Sequence, residues 1–569
     1  MHKLTIIDMF CGAGGFSEGF RQQGFEIKAG VDYWEPAIKT FNHNFGLKCS
    51  VKNMLSFEHS TEEIENLPDT DIIIGSPPCV TFSSSNISGK ADKTSGVTLT
   101  QIFLRIVAVK KWKPDSLLKA WFMENVPSSI KHLGNEYTFD ELGLGDWATK
   151  HKIGRTKVAI KLEGNQEIIN SADYGSAQSR ERVICGEIVS KRKLIVPEPS
   201  HKQENSDEIS YRPWRSLDNI KNNLPSPASS NNSRNIADPN YPQIEIPLNK
   251  LTDHFYDTGL FKCEWKQSRF LKVNHPYMGR MSFPENENRP SRTITATKIG
   301  TSREAIIYKS EYSRMGNGQF RTPTVREAAC IMGFPVTYQF LGGETTKWRL
   351  VGNAVCPAVA RAFAKQVQLE LCIKVNAELT IQDCPNLESV NNLNTFSIKE
   401  FKTPPKRNKG SRFRRHPFKD GNITVTLSNY DILKKKVNPT KWKTSIQYGN
   451  GNGFPTFNIP DGFYKQIESL IEKRLSGSEF LYVINNGFSE KIAKGAMLQK
   501  MYENQLSNPP YLEPTELIEK INHIIKSIKI NEEEFEQNEK IVFKNKESVP
   551  LKQLFALYAI NKIATLANT

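Results

Sequence analysis

The chain has no C-x-x-C pair, and its nine cysteines are scattered from Cys11 to Cys384. An odd, dispersed set excludes a disulfide framework and a zinc ribbon. Reduced thiols in a cytoplasmic protein are the expectation, with no metal site. No apolar run approaches the roughly 18 residues that cross a bilayer, so no membrane partner is expected. The N-terminus, MHKLTIIDMF, has no basic region leading into a long apolar stretch, and no signal peptide is visible. Internal repeats are absent. With 38% hydrophobic and 24% charged residues, the composition excludes wholesale disorder.

What is present is length and positive charge. At about 100–200 residues per domain, 569 residues imply two to four units. Lys and Arg number 76 against 61 Asp and Glu, a net charge of +15, which weakly favours a polyanionic partner. The first 190 residues alternate strand and helix signals. Strands are read at Leu4–Phe10, Glu26–Asp32, Thr70–Gly75 and Ala120–Val126, with helices at Phe16–Gly24, Pro36–Phe45 and Gln101–Trp112. The order implies a mostly parallel sheet covered on both faces, with ligands beyond the C-terminal strand ends. From Val189 to Pro290 the periodicity fades into Asn, Ser, Pro and Lys. Helical signals return at Arg326–Phe334 and Pro357–Ile373. A polar stretch, Asn386–Thr395, reads as a linker, and Lys402 to Asp420 holds eight basic residues and one acid. The last 150 residues read as a small α+β unit.

Three constellations carry chemistry. Asp8-Met9-Phe10-Cys11-Gly12-Ala13-Gly14-Gly15-Phe16 runs a strand through a Gly-rich turn into a helix. Glycines there admit close approach of a ligand to the backbone. Asp32 ends the second strand, where an acid either accepts from the ribose hydroxyls of a nucleoside cofactor or caps the turn. Gly75-Ser76-Pro77-Pro78-Cys79 follows the third strand. Its prolines fix the loop, making Cys79 either a nucleophile or a buried structural thiol. Glu124-Asn125-Val126-Pro127 puts a carboxyl at a strand tip, as an acid or base or as an ion-pair partner.

In combination these blocks resemble the cytosine-5 DNA methyltransferase family. The resemblance continues through Gln178-Ser179-Arg180-Glu181-Arg182, Arg326-Glu327-Ala328-Ala329 with Gly333-Phe334-Pro335, and Gly352-Asn353-Ala354-Val355, six blocks in order over about 370 residues. It implies an α/β, Rossmann-like, S-adenosylmethionine-dependent methyltransferase sheet with a target-recognition domain. It also implies methyl transfer to C5 of cytosine in a short double-stranded DNA site. Cys79 would add to C6 of a flipped-out base and a neutral Glu124 would serve N3. Arg182 would contact O2 and Arg180 would support the Cys79 loop. Val80–Gly89 resembles the loop that closes on flipped DNA.

For the cofactor, the resemblance implies Phe10 and Tyr33 against the adenine and Asp32 on the ribose. Cys11, Ala13, Gly15, Met54, Pro78 and Leu99 would line the site, with Asn353 and Ala354 at the methionine end. Asn53 stands where the family usually has Asp, and its oxygen would accept from the adenine amino group without charge.

The resulting domain expectation is a catalytic part at 1–188, a target-recognition region at 189–320 and a catalytic return at 321–378. A basic linker follows at 379–420, then an extension of unassigned role at 421–569. Candidate DNA contacts are Arg192, Lys193, Arg212, Trp214, Arg215, Lys266, Arg269, Lys272 and Arg280. A restriction endonuclease acting on the same site is a partner implied by family habit alone. The alternatives are an RNA (tRNA) cytosine-5 methyltransferase and a non-catalytic DNA-binding homologue.

Overall fold

The computed structural model describes residues 3–78, 93–203, 211–229, 234–273, 281–298, 300, 302–312, 319–375, 378–397, 418–420, 423–431, 436–438, 441–448, 456–459, 461–504, 506–528, 534–536 and 548–569. Its central sheet contains β1 (Thr5–Met9), β2 (Glu26–Val31), β3 (Ile72–Gly75), β4 (Ala120–Asn125), β5 (Gln166–Asn170) and β6 (Glu181–Ile188), in the order β2-β1-β3-β4-β6-β5. The first four strands are parallel. β6 runs antiparallel to β4, and β5 antiparallel to β6. The sheet is therefore mixed at one edge, where the sequence pattern implied mostly parallel strands.

The strands are apolar on both faces because both faces are covered. Ile6, Ile72, Ile74 and Phe122 share a core with Phe16, Phe20 and Phe363. The alternate residues Ile7, Met9, Ile73, Trp121 and Met123 share another with Phe103 and Val107. The first core is closed by α1 (Gly15–Gln22) and α7 (Pro357–Glu370), the second by α3 (Lys93–Trp112). α1 and α7 approach closely: a Cβ on Gly19 would lie 2.4 Å from the Ala360 Cβ. α2 (Glu35–Phe45) follows β2, and its Phe41 ring occupies the space beside Gly30.

The region 189–320 divides physically. Leu217 to Phe255 pack into one core with α5 (Val325–Met332) and α6 (Glu344–Asn353). A separate small cluster forms from Leu260, Ala305, Ile307 and Trp265, the last on α4 (Lys262–Val273).

The start of the expected linker is docked onto the body. Asn392 Oδ1 accepts from the Asp253 N–H at 2.7 Å, Leu393 N–H donates to Asp253 Oδ1 at 3.0 Å, and Asn394 Nδ2 donates to the Leu251 carbonyl at 2.6 Å. Beneath lies a fully buried pair, Lys347 Nζ to Asp253 Oδ1 at 2.7 Å, and Lys347 also donates to the Asn391 carbonyl. The polarity that suggested a linker serves to satisfy these buried groups. Residues 402–417 of the basic segment lie outside the described residues.

In the extension, β7 (Phe418–Asp420), β8 (Ile423–Ser428), β9 (Lys443–Tyr448) and β10 (Thr456–Asn458) form an antiparallel sheet in that order. Its core includes α8 (Asp461–Glu472), α9 (Pro514–Ser527) and the long buried α10 (Leu551–Asn568). Asn568 closes the unit by accepting from the Trp442 N–H at 2.8 Å and donating to its carbonyl at 2.7 Å.

Candidate active site

The C-terminal ends of β1 to β4 bring the quoted blocks to one edge of the sheet. After β1 the chain turns sharply, with positive φ at Phe10, Gly12 and Gly14. A Cβ on Gly12 would meet nothing within 4 Å, whereas Gly15 is hemmed in by Val355, Ala354 and Phe334. Gly12 therefore borders open space and Gly15 is required by packing. The Ala13 carbonyl is fixed by the Tyr338 hydroxyl, which donates to it at 2.5 Å. Cys11 is buried, its N–H bound to the Val31 carbonyl, and burial pushes its thiol pKa far up. It is not a nucleophile in that state.

Asp32 caps this turn by accepting from the Gly12 N–H at 3.0 Å and the Trp34 N–H at 2.8 Å. Burial nevertheless raises its pKa, against the pull of those bonds. Beneath it Asp8 is wholly buried in β1. It accepts from Ser17 Oγ at 2.7 Å, while its Oδ1 has no partner among the described residues. Burial is the main cause that pushes its pKa to about 7; the Ser17 bond opposes, and nearby Asp32 adds to the rise. Phe10 is buried, whereas Tyr33 is 58% exposed, leaving a free aromatic face at the rim. Asn53 is exposed, and its oxygen caps a short helix by accepting from the Leu55 N–H at 3.0 Å. One of its two lone pairs is thus already used. Met54 is buried and Leu99 partly buried in the α3-side core.

Cys79 and Val80–Gly89 lie outside the described residues. The chain leading to them is held in place: Ser76 Oγ donates to the Phe10 carbonyl at 3.1 Å, and Asn125 Nδ2 donates to the Pro77 carbonyl at 3.4 Å. The Pro-Pro turn, with partly buried Pro78, is thereby tied to both the Gly-rich turn and the tip of β4. At that tip Glu124 Oε1 is 3.0 Å from Arg182 Nε on β6. Glu124 thus has the ion-pair partner that was one of its two readings from sequence. Arg180 is buried and donates to the carbonyls of Ile294 at 3.1 Å and of Gly352 and Ala354 at 3.2 Å. It fastens the later Gly-Asn-Ala-Val block onto the sheet. Asn353 is exposed at the end of α6 and Ala354 is buried next to Gly15.

Residues 4–369 match the family of C-5 cytosine-specific DNA methylases. The chain belongs to that family. This DNA cytosine-5 methyltransferase is 27% identical over 376 residues to the type II methyltransferase M1.HphI of Haemophilus parahaemolyticus, covering 64% of this chain and 87% of that protein. It is 27% identical over 380 residues to M.MthTI of Methanothermobacter thermautotrophicus, covering 65% of this chain and 98% of that protein. The docked stretch 378–397 and the extension follow the residues matched to the family.

Of the candidate DNA contacts in this methyltransferase, several are consumed internally. Lys272 is buried with its ammonium 3.1 Å from Glu285 Oε1, Trp214 Nε1 donates to Asp173 at 2.8 Å, and Arg215 donates to Asn240 and to the Pro239 carbonyl. Arg192, Lys193, Arg212, Lys266 and Arg269 are exposed, and Arg280 lies outside the described residues. Among the described residues, no helix is long and apolar enough to cross a membrane, and no group of three His, Cys, Asp or Glu could hold a metal. Sequence reasoning gave no role to Asp8, although an acid inside an apolar strand was a visible signal. It also passed over Trp34 and the α6 helix.

Proposed function

We propose that this enzyme modifies cytosine in a short duplex site by covalent catalysis, with Cys79 as nucleophile and S-adenosylmethionine as methyl donor. The observation that carries the reading is the Glu124–Arg182 pair at 3.0 Å, placed beside the Pro77 turn by Asn125. The cytosine leaves the duplex stack, at a cost of a few kcal/mol, to reach these groups. The Cys79 thiolate adds to C6, which makes C5 electron-rich. Glu124 supplies the proton or hydrogen bond at N3 that the developing ring charge requires, and Arg182 holds Glu124 and the base oxygen O2. The cofactor supplies a sulfonium methyl, which C5 takes up. Transfer of the C5 proton to water and return of the N3 proton to Glu124 then expel the thiolate. Arg180 positions the cofactor wall through Gly352 and Ala354.

The residues present suit this cofactor. Gly12 borders open space, Tyr33 offers an uncovered ring, and Asp32 faces the same turn. Asp32 takes the ribose hydroxyls, Phe10 and Tyr33 the adenine, and Asn353 and Ala354 the methionine end. Cys11, Ala13, Gly15, Met54, Pro78 and Leu99 shape the walls, and Asn53 offers its remaining lone pair to the adenine amino group.

The region 189–320 reads the duplex. Exposed Lys266 and Arg269, one turn apart on α4, are its first candidates for phosphate or guanine contact. A restriction endonuclease recognising the same site completes the system. Base-resolution conversion sequencing of DNA from cells expressing wild type or Cys79→Ala tests the reading. The expected result is 5-methylcytosine at one short motif with wild type alone. Methylation by Cys79→Ala would overturn the nucleophile, and unmodified DNA from soluble wild type would overturn the substrate.

A further inference from the structure

Arg349 has no role in the mechanism above, yet it stands at the rim of the same cleft. It lies on α6, four residues before Asn353 and so on the same helical face. Its side chain is exposed, and no carboxylate among the described residues pairs with it. The guanidinium carbon lies 4.4 Å from the centroid of the Trp34 ring, a stacking distance. Trp34 is the residue whose N–H donates to Asp32 Oδ1 at 2.8 Å.

We propose that Arg349 is a positioning residue of the cofactor site, clamping Trp34 and setting a fixed positive charge beside the Asp32 carboxylate that receives the ribose. The inference rests on the ribose reading of Asp32. Two effects follow from the one contact. Stacking holds the Trp34 backbone N–H against Asp32, and the charge favours the ionised form, the better acceptor for two hydroxyl donors.

The other charged groups around Asp32 do not substitute for Arg349. Asp8, below it on β1, and Cys11, in the turn, would oppose its ionisation if charged. Lys52 joins Asp32 through its backbone N–H, and its ammonium is spent on Glu63 at 2.9 Å. Burial raises the Asp32 pKa, and Arg349 is the side-chain cation that counters it.

The test uses the full chain without DNA and measures binding of S-adenosylhomocysteine by calorimetry between pH 5 and 8. Variants are Arg349→Gln, Arg349→Lys and Asp32→Asn. Arg349→Gln is expected to weaken binding about tenfold near neutrality, the scale of one cation stacked on an aromatic ring. Its affinity should also begin to fall at a higher pH than that of wild type. Arg349→Lys should restore most of the affinity and the pH midpoint. In turnover assays the loss should appear in KM for the cofactor, with kcat at saturation little changed. Unchanged affinity and midpoint in Arg349→Gln, with weak binding by Asp32→Asn, would overturn the proposal alone. Full-strength binding by Asp32→Asn would overturn the ribose reading and the proposal with it. A lowered melting temperature with an unmoved pH midpoint would reduce Arg349 to a structural contact and likewise overturn it.

Discussion

The body matched to the family, residues 4–369, and the extension from 418 onward are built by the same packing rules but read very differently in sequence. In the body, specific turns demand specific residue types: a glycine where Gly15 meets the Val355 carbonyl, prolines before Cys79, a carboxyl at the tip of β4. Those choices persist as ordered words along the chain. In the extension the described residues share one apolar core, and burial accepts many residues at each position. Its α+β character was legible as periodicity, but no word in it names a reaction. Between the two lies the stretch 378–397, polar in sequence like a linker and docked like part of the body.

The sharpest way to break this comparison is to cut on either side of that stretch. A chain ending at residue 397 should fold and methylate DNA. A chain ending at residue 377 loses Asn391 to Asn394 and uncovers the buried Lys347–Asp253 pair. Each buried polar group left without its partner costs about 1–3 kcal/mol, and several together are a large part of a domain's stability. The shorter chain should be insoluble or inactive. Equal solubility and activity of the two would show that the body ends where the family match ends.

Within the extension, Trp442→Ala should be the largest single-residue effect. The ring is fully buried, its Nε1 donates to the Gly495 carbonyl, and its backbone is tied to Asn568. The expected loss is about 3–5 kcal/mol. It should appear in one calorimetric transition while methylation by the body continues. A parallel loss of methylation would join the two regions into one cooperative unit.

How much was legible follows the same division. The sheet strands and the edge that carries Asp32, Glu124 and the Pro-Pro turn were readable, because strands buried on both faces are continuous apolar runs ending at motifs. The antiparallel β5 and β6 were missed, since GlnGluIleIleAsn (Gln166–Asn170) is too mixed to signal a strand. The Glu124–Arg182 pair was missed because it joins residues 58 positions apart in sequence that only the β4–β6 pairing brings together. Lys272 and Arg215 looked like DNA contacts because sequence shows a charge but not the carboxylate or carbonyls that occupy it. Asn-rich 386–395 misled for the same reason: a polar side chain that satisfies a buried backbone looks like one that faces water.

A finer division runs through the Gly-rich turn itself. Gly15→Ala places a Cβ 2.2 Å from the Val355 oxygen, so α1 and the Ala354–Val355 segment must separate. Overpacking of this kind costs about 1–3 kcal/mol and should lower the melting temperature. Gly12→Ala meets no atom within 4 Å, though φ there is +52°. It should cost only about 1–2 kcal/mol of backbone strain but weaken cofactor binding, because the methyl enters the open space. Equal effects of the two variants on binding and stability would merge the roles this geometry separates.

A pH slope from Asp8 tests the floor of the same turn. Its pKa stands at about 7 in the folded protein because burial disfavours the charged form, against an ordinary value of 3.8. Below about pH 4 both folded and unfolded chains carry the proton, and the stabilisation from tighter proton binding is fully present. As pH rises towards 7 the unfolded chain releases its proton first, so stability falls and the contribution is lost once the folded group ionises. Asp8→Asn removes that proton and should flatten the part of the slope between pH 4 and 7 that Asp8 causes. Asp238, pushed up to about 6 by burial, acts in the same direction and remains in both proteins. The informative quantity is therefore the difference between wild type and variant in urea unfolding at pH 4.5, 6 and 7.5. Parallel curves would show that Asp8 stays in one protonation state across the range. A wild-type stability that falls relative to the variant as pH rises would mark the floor of this turn as held neutral, a feature that packing alone would not select.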